Sequence, residues 1–352
     1  MLGAFFIRAS PEVEAAADAP SYETLLADNY FREFGIRFRT YPSGMRLSLR
    51  NRAATGIFLF LDRLGVHVIP KHFYTPVADY TWLRNNREVW EPAWDMTGVH
   101  WDLNEQIRWL NEVCSGYVEE VAGLRHYQHV GSAGLGYGYG PIESQVLHCF
   151  VRKFAPRRII EVGSGVSTAC MLDAARRNEG EGRNPSEILC IEPFPKKQFA
   201  HVAGITHVER MVQTVDPAIF DRLQAGDLLF IDSSHAVKTG SDVTALYLNV
   251  LPRLRPGVHV QIHDISLPYL YVRDTLSTVF GWQETMLLAA LLTGNSQIRI
   301  NACMSGLHYG RQAQMRNILP DYRPQRSDSG LSSPAEDPEL HFPSSIYLET
   351  TK

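Results

Sequence analysis

One pattern limits the architecture of this chain more than any other. Across residues 158–302 of its 352, short apolar runs alternate with helix-forming segments. The runs at 158–162 (RIIEV), 188–192 (ILCIE), 205–208, 228–232 (LLFID), 258–264 (VHVQIHD) and 297–302 read as strands. Segments 168–177, 242–251, 271–280 and 283–292 read as helices, and 344–350 (SSIYLET) as a closing strand. These runs lack a solvent-facing polar alternation, so they need cover on both faces. That is the demand of a parallel sheet with helices on either side. Parallel strands point the same way, so the residues that end them gather on one edge.

Those ends carry the chemistry. Asp232 and His235 follow one strand, and His263 and Asp264 close the next. Three strands before Asp232, EVGSGVST (161–168) lies between a strand and a helix. Gly163 and Gly165 permit a tight turn and close approach of a ligand to the backbone, and the following helix N-terminus offers free N–H groups. Thr168 stands where a dinucleotide fingerprint has its third glycine. Glu192 ends the next strand, where a carboxylate can accept ribose hydroxyls. Together these features favour a nucleoside-bearing cofactor over a dinucleotide.

The remainder sets bounds. Residues 1–130 read as an accessory lid or oligomerisation region, and 131–352 as the cofactor domain, divided at the glycine-rich HVGSAGLGYGYGP (129–141). Arg32, Arg37, Arg39, Arg46, Arg50 and Arg52 are interleaved with Phe31, Phe34, Phe38 and Tyr41, but the net charge of −4 argues for a solvated face rather than a nucleic-acid surface. No apolar run reaches the ~18 residues that span a bilayer, and no basic segment precedes the apolar patch at the N-terminus. Five scattered cysteines without a CxxC pair suit reduced thiols in a cytoplasmic protein. Asp102 and Glu105 form a D-x-x-E capping box ahead of a helix.

On E-x-G-x-G-x-S, the acid at Glu192 and the closing strand, the chain from about 142 to 350 resembles a class I S-adenosylmethionine-dependent methyltransferase. The resemblance implies a Rossmann-like, doubly wound, mostly parallel seven-stranded α/β sheet whose last strand runs antiparallel. It implies S-adenosylmethionine held by Glu161, Gly163, Ser164, Gly165, Ser167, Thr168, Glu192 and Asp232, with Glu161 facing the methionine amino group. IDSSH (231–235) and IHD (262–264) are most similar to metal-dependent macrolide-sugar and macrocin-type O-methyltransferases. That likeness implies a divalent ion (Mg, Mn or Fe) on Asp232, His263 and Asp264, with His235 as the general base. The expected reaction moves a methyl group to a hydroxyl of a small, natural-product-like acceptor. The expected enzyme is a homo-oligomer without nucleic-acid or membrane partners.

The residues support this chemistry in their own right. A hydroxyl is a poor nucleophile. A divalent ion lowers its pKa, and a neutral imidazole can take its proton near physiological pH. His263 departs from the carboxylate usual at its position, and an imidazole there shifts preference from Mg²⁺ towards Mn²⁺, Fe²⁺, Ni²⁺ or Zn²⁺. The same set resembles a mononuclear iron site, so an oxidative or cyclising metal enzyme on this fold is the alternative. His259 and Gln261 share a strand face with His263 and read as structural groups, and Asp242 as the N-cap of the next helix.

Overall fold

A computed structural model of the chain describes residues 49–69, 71, 74–130, 138–195, 202–272, 275–277, 281–325 and 340–351. Of the arginine–aromatic run only Arg50 and Arg52 are among these residues, and most of the glycine-rich stretch lies outside them. The chain divides into two units, Met1–Asp79 and Tyr80–Lys352. The first contains a helix, Leu49–Arg63. The second begins well before the boundary expected at 130. Residues 80–130 belong with the sheet because α1 (Leu103–Cys114) puts Leu110, Val113 and Cys114 into the core against it. No helix among the described residues is long and apolar enough to cross a membrane.

The sheet contains β1 (Arg158–Val162), β2 (Glu187–Ile191), β3 (Ile205–Val208), β4 (Leu228–Ile231), β5 (His259–Ile262), β6 (Ile298–Cys303) and β7 (Ile346–Thr350), in the order β3-β2-β1-β4-β5-β7-β6. The first five strands pair in parallel, and β7 runs antiparallel between β5 and β6. This is the seven-stranded, mostly parallel sheet with an antiparallel last strand that the resemblance implies. From β1 the chain winds outward to β3, then returns to lay β4 on the other side of β1. That reversal opens a crevice at the carboxyl ends of β1 and β4.

The strand period of two divides the core into two layers. Ile159, Ile188, Leu228 and Phe230 face α1, α2 (Pro141–Phe154) and α3 (Val166–Gly180). Ile160, Val162, Leu229, Ile231 and Ile262 face the opposite layer, with Val243, Leu246, Leu288 and Leu292. Full burial of each such side chain stabilises the fold by roughly 1.5–3 kcal/mol. Glu161 shares its face with Ile159. His259, Gln261 and His263 share one facing Phe150 and Tyr139.

Candidate active site

Backbone hydrogen bonds carry the sheet one residue beyond its strands. Glu192 N donates to Val208 O (3.1 Å), Gly163 N to Ile191 O (3.0 Å), Asp232 N to Val162 O (3.0 Å) and His263 N to Ile231 O (2.9 Å). Glu192, Gly163, Asp232 and His263 therefore stand in a row across the strand tips. A cavity of 380 Å³ opens there, lined on one side by Gly163, Glu192, Met211 and Gln213 and on the other by Asp232, Ser234, Lys238 and Asp242. This volume lies within the usual ~300–1,000 Å³ of small-ligand sites.

Of the residues expected to hold a cofactor, Gly163, Glu192 and Asp232 line this cavity. Glu161, Ser167 and Thr168 do not. Glu161 is fully buried, and its carboxylate accepts from Ser167 Oγ (2.6 Å) and Thr168 Oγ1 (2.7 Å). Thr168 Oγ1 in turn accepts from Gly165 N (2.9 Å). These residues hold the glycine loop to the first turn of α3 from below. Glu161 faces away from the cavity because β1 alternates and Ile159, on the same face, is covered by helix. Burial raises its carboxyl to about 7, against the hydrogen bonds from Ser167 and Thr168. Ser164 and Gly165 lie in the loop beside the cavity without lining it.

The second half of the site is a cluster next to Asp232. Asp232 Oδ1 lies 3.3 Å from His263 Nδ1 and 3.5 Å from His235 Nε2. Asp264 Oδ2 lies 3.4 Å from His235 Nε2, and Asp264 Oδ1 is 3.6 Å from His263 Nε2. The sequence brings all four expected groups together, and the fold adds two buried carboxylates. Glu284, at the start of α4 (Glu284–Leu292), meets His235 Nδ1 at 2.7 Å. Glu143, in the first turn of α2, faces His263 Nε2 at 3.5 Å. Glu284 is 49 residues from His235 along the chain, so spacing gave no sign of the pair. The W-Q-E segment at 282–284 that carries it also grips the His235 backbone, since Gln283 N and Glu284 N both donate to His235 O.

His235 and Asp264 have left-handed backbones (φ 57° and 54°), a conformation that costs a non-glycine residue about 1–2 kcal/mol and needs surrounding contacts to hold it. Asp264 is anchored by Ser344 Oγ, which donates to its Oδ1 (2.9 Å). Burial pushes the Asp232 carboxyl up, but His263 and His235 outweigh it and hold it well below the usual carboxylate range. Burial pulls His235 down, yet its hydrogen bonds to Asp232 and Glu284 raise it to about 10. Burial opposes protonation of His263 too, and Asp264, Glu143 and Asp232 together raise it well above its ordinary value. Acids outnumber imidazoles four to two here, an excess of negative charge that suits a cation. Asp232, His235 and His263 each offer an atom within 4.8 Å of the others, a group that could hold a metal ion.

Asp242 is not the N-cap expected of it. Ser241 takes that place and accepts from Thr244 N (3.2 Å), while Asp242 accepts from Ser234 N (2.7 Å) and Ser234 Oγ (2.6 Å). Asp242 thus ties the loop after β4 to the next helix and lines the cavity.

Residues 160–265 match a family model described as a methyltransferase domain. The chain carries a methyltransferase domain. The match runs from β1 through Asp264 and so contains the glycine loop, Glu192, Asp232, His235 and His263. The methyltransferase domain belongs to the class I fold by its own strand order, with β7 inserted antiparallel. An uncharacterized protein of Archaeoglobus fulgidus is 26% identical over 169 residues, 44% of this chain and 73% of that protein. Among solved structures, the chain is similar to the O-methyltransferase TomG of Streptomyces achromogenes, involved in tomaymycin synthesis and solved with S-adenosylmethionine. Identity is 17%, coverage 70% of this chain and 99% of that one, and the TM-score 0.41. An O-methyltransferase of Bacillus cereus gives 14% identity, coverage of 70% and 100%, and a TM-score of 0.38.

Proposed function

We propose that the protein moves the methyl group of S-adenosylmethionine to a hydroxyl of a small, natural-product-like acceptor, with a divalent ion at Asp232, His263 and Asp264. The observation that carries this reading is the position of Asp232. It lines the cavity and also belongs to the His–Asp cluster, so one side chain joins a cofactor space to an ion-binding space. On the cavity side, Glu192, Asp232 and Asp242 face a single cation, Lys238. That balance favours a positively charged ligand, and S-adenosylmethionine carries a sulfonium. Glu192 Oε1 accepts from Phe194 N (2.8 Å), which fixes the carboxylate at the tip of β2 for a ribose.

The residues fit a divalent ion. With bonds of about 2.1 Å, neighbouring ligand atoms lie roughly 3.0–3.4 Å apart. The 3.3 Å between Asp232 Oδ1 and His263 Nδ1 falls in that range. When bound, such an ion lowers the pKa of an acceptor hydroxyl and fixes its position. The chain's own part is to hold Asp232 between the cofactor and the acceptor and to align the oxygen with the methyl group.

The reading is tested by incubating the full chain with methyl-labelled S-adenosylmethionine and a panel of catechols and sugars, with and without a chelator. The expected outcome is a product heavier by one methyl group, lost on chelation and restored by metal. Turnover that persists in chelator would remove the ion. Two imidazoles and Asp232 also suit an iron enzyme of oxidative chemistry. A product mass changed by oxygen or by loss of hydrogen, with no methyl gained, would select that reading.

A further inference from the structure

We infer that His235 is a ligand of the ion rather than a free base, and that Glu284 and Glu143 are the positioning carboxylates of a two-histidine, two-aspartate site made for a transition metal rather than Mg²⁺. This rests on the proposed metal dependence and adds what that proposal leaves open: the donor set and the class of ion.

The first support is the use of the ring nitrogens. A metal-binding imidazole characteristically gives its outer N–H to a carboxylate or carbonyl, which fixes the tautomer and turns the other lone pair to the ion. His235 is arranged this way, and His263 has a buried carboxylate beyond its outer nitrogen. His235 Nδ1 meets Glu284 Oε2 at 2.7 Å, and Nε2 is left towards Asp232 and Asp264. His263 Nε2 lies 3.5 Å from Glu143 Oε1 and 3.6 Å from Asp264 Oδ1, and Nδ1 is left towards Asp232 at 3.3 Å. The two outer carboxylates are 1% and 3% exposed, so they serve the rings and not solvent. Glu143 is itself held by Ser344 N (3.1 Å) and Ser345 Oγ. Glu284 also accepts from Ser233 Oγ (2.8 Å), and its Oε1 has no hydrogen-bond partner.

The second support is where His235 points. A general base must turn its lone pair to the acceptor's hydroxyl. His235 Nε2 instead lies between two aspartates, at 3.5 and 3.4 Å, on a side chain only 7% exposed. The left-handed backbone at His235, gripped by Gln283 N and Glu284 N, holds it there. Two nitrogen donors also shift preference from the hard, oxygen-seeking Mg²⁺ to Mn²⁺, Fe²⁺, Co²⁺, Ni²⁺ or Zn²⁺.

The test uses the full chain, stripped of metal and titrated with Co²⁺ and with Mg²⁺, its folding monitored by circular dichroism. In the Co²⁺-loaded wild type, two solvent-exchangeable, hyperfine-shifted imidazole N–H resonances are expected, one for each histidine; a single one overturns the inference without any substitution. His235→Ala should weaken Co²⁺ binding at least about 10-fold, and Glu284→Gln about 10–100-fold with a changed visible Co²⁺ spectrum. His263→Asp should lower the Co²⁺ to Mg²⁺ affinity ratio by about 10-fold or more. Unchanged Co²⁺ affinity in a folded His235→Ala would return that residue to the role of base and overturn the inference. S-adenosylmethionine binding, measured on the same preparations, separates this result from failure of the methyltransferase reading.

Discussion

Gly163 has little room for a side chain. Its φ is +109°, and a Cβ there would lie 3.1 Å from the Asp232 carbonyl oxygen, at the point where β1 and β4 end side by side. Gly163→Ala should cost about 1–3 kcal/mol in urea unfolding and weaken binding in the cavity, since Asp232 has to move. Glu161 gives a prediction in pH. Folded, its carboxyl titrates near 7, against an ordinary 4.5. Between those values the unfolded chain has released a proton that the folded chain keeps, so stability falls as pH rises through the window. Glu161→Gln removes this dependence. Relative to wild type, the variant should gain about 2 kcal/mol between about pH 5 and about pH 8. An unchanged difference across that range would mean that Glu161 is not the buried acid described. The identity of these residues was legible in the sequence, and so was the direction of Glu161. Strand alternation from Ile159 turns it to the helix face, and that signal was present. Glu284 and its pairing with His235 had no comparable signal, because the contact depends on how α4 packs.

Among the elements, the strands were legible because each is a short apolar run that ends at a turn or a charged residue. Helix starts were less so. The D-x-x-E box at 102–105 is only half formed. Asp102 accepts from Asn104 N (2.7 Å) and Glu105 N (3.3 Å), but Glu105 turns to His100 (2.8 Å) and not back to Asp102. Asp102→Ala should therefore cost about 1 kcal/mol in urea unfolding, whereas Glu105→Ala, at an exposed pair, should stay within about 0.5 kcal/mol. Equal losses would mean that the box is complete in solution. Of the helix expected at 271–280, the described residues 271, 272 and 275–277 are not helical. There the Thr275 hydroxyl takes the Val272 carbonyl (2.6 Å), the local competition by which threonine disfavours helix. Pattern showed where apolar residues recur, and such side-chain hydrogen bonds then decided which recurrences became helix.

For the whole molecule, the strand order explains the site. The reversal at β1 and β4 makes the crevice, and the ladder places Glu192, Gly163, Asp232 and His263 across it in one row. Chain order alone could bring these residues to one edge, since parallel strands share a direction. It could not show that 80–130 joins the sheet unit, because α1 reaches the core through tertiary packing and no linker marks its start. The central claim is a S-adenosylmethionine site in the crevice, with Glu192 holding the ribose. The most direct measurement is a calorimetric titration of S-adenosylmethionine into the full chain and into Glu192→Ala. The account predicts saturable one-site binding to the wild type, weakened about 10–100-fold in the variant by loss of charge-assisted hydrogen bonds. No binding to the folded wild type, or equal affinity in the two proteins, would contradict it.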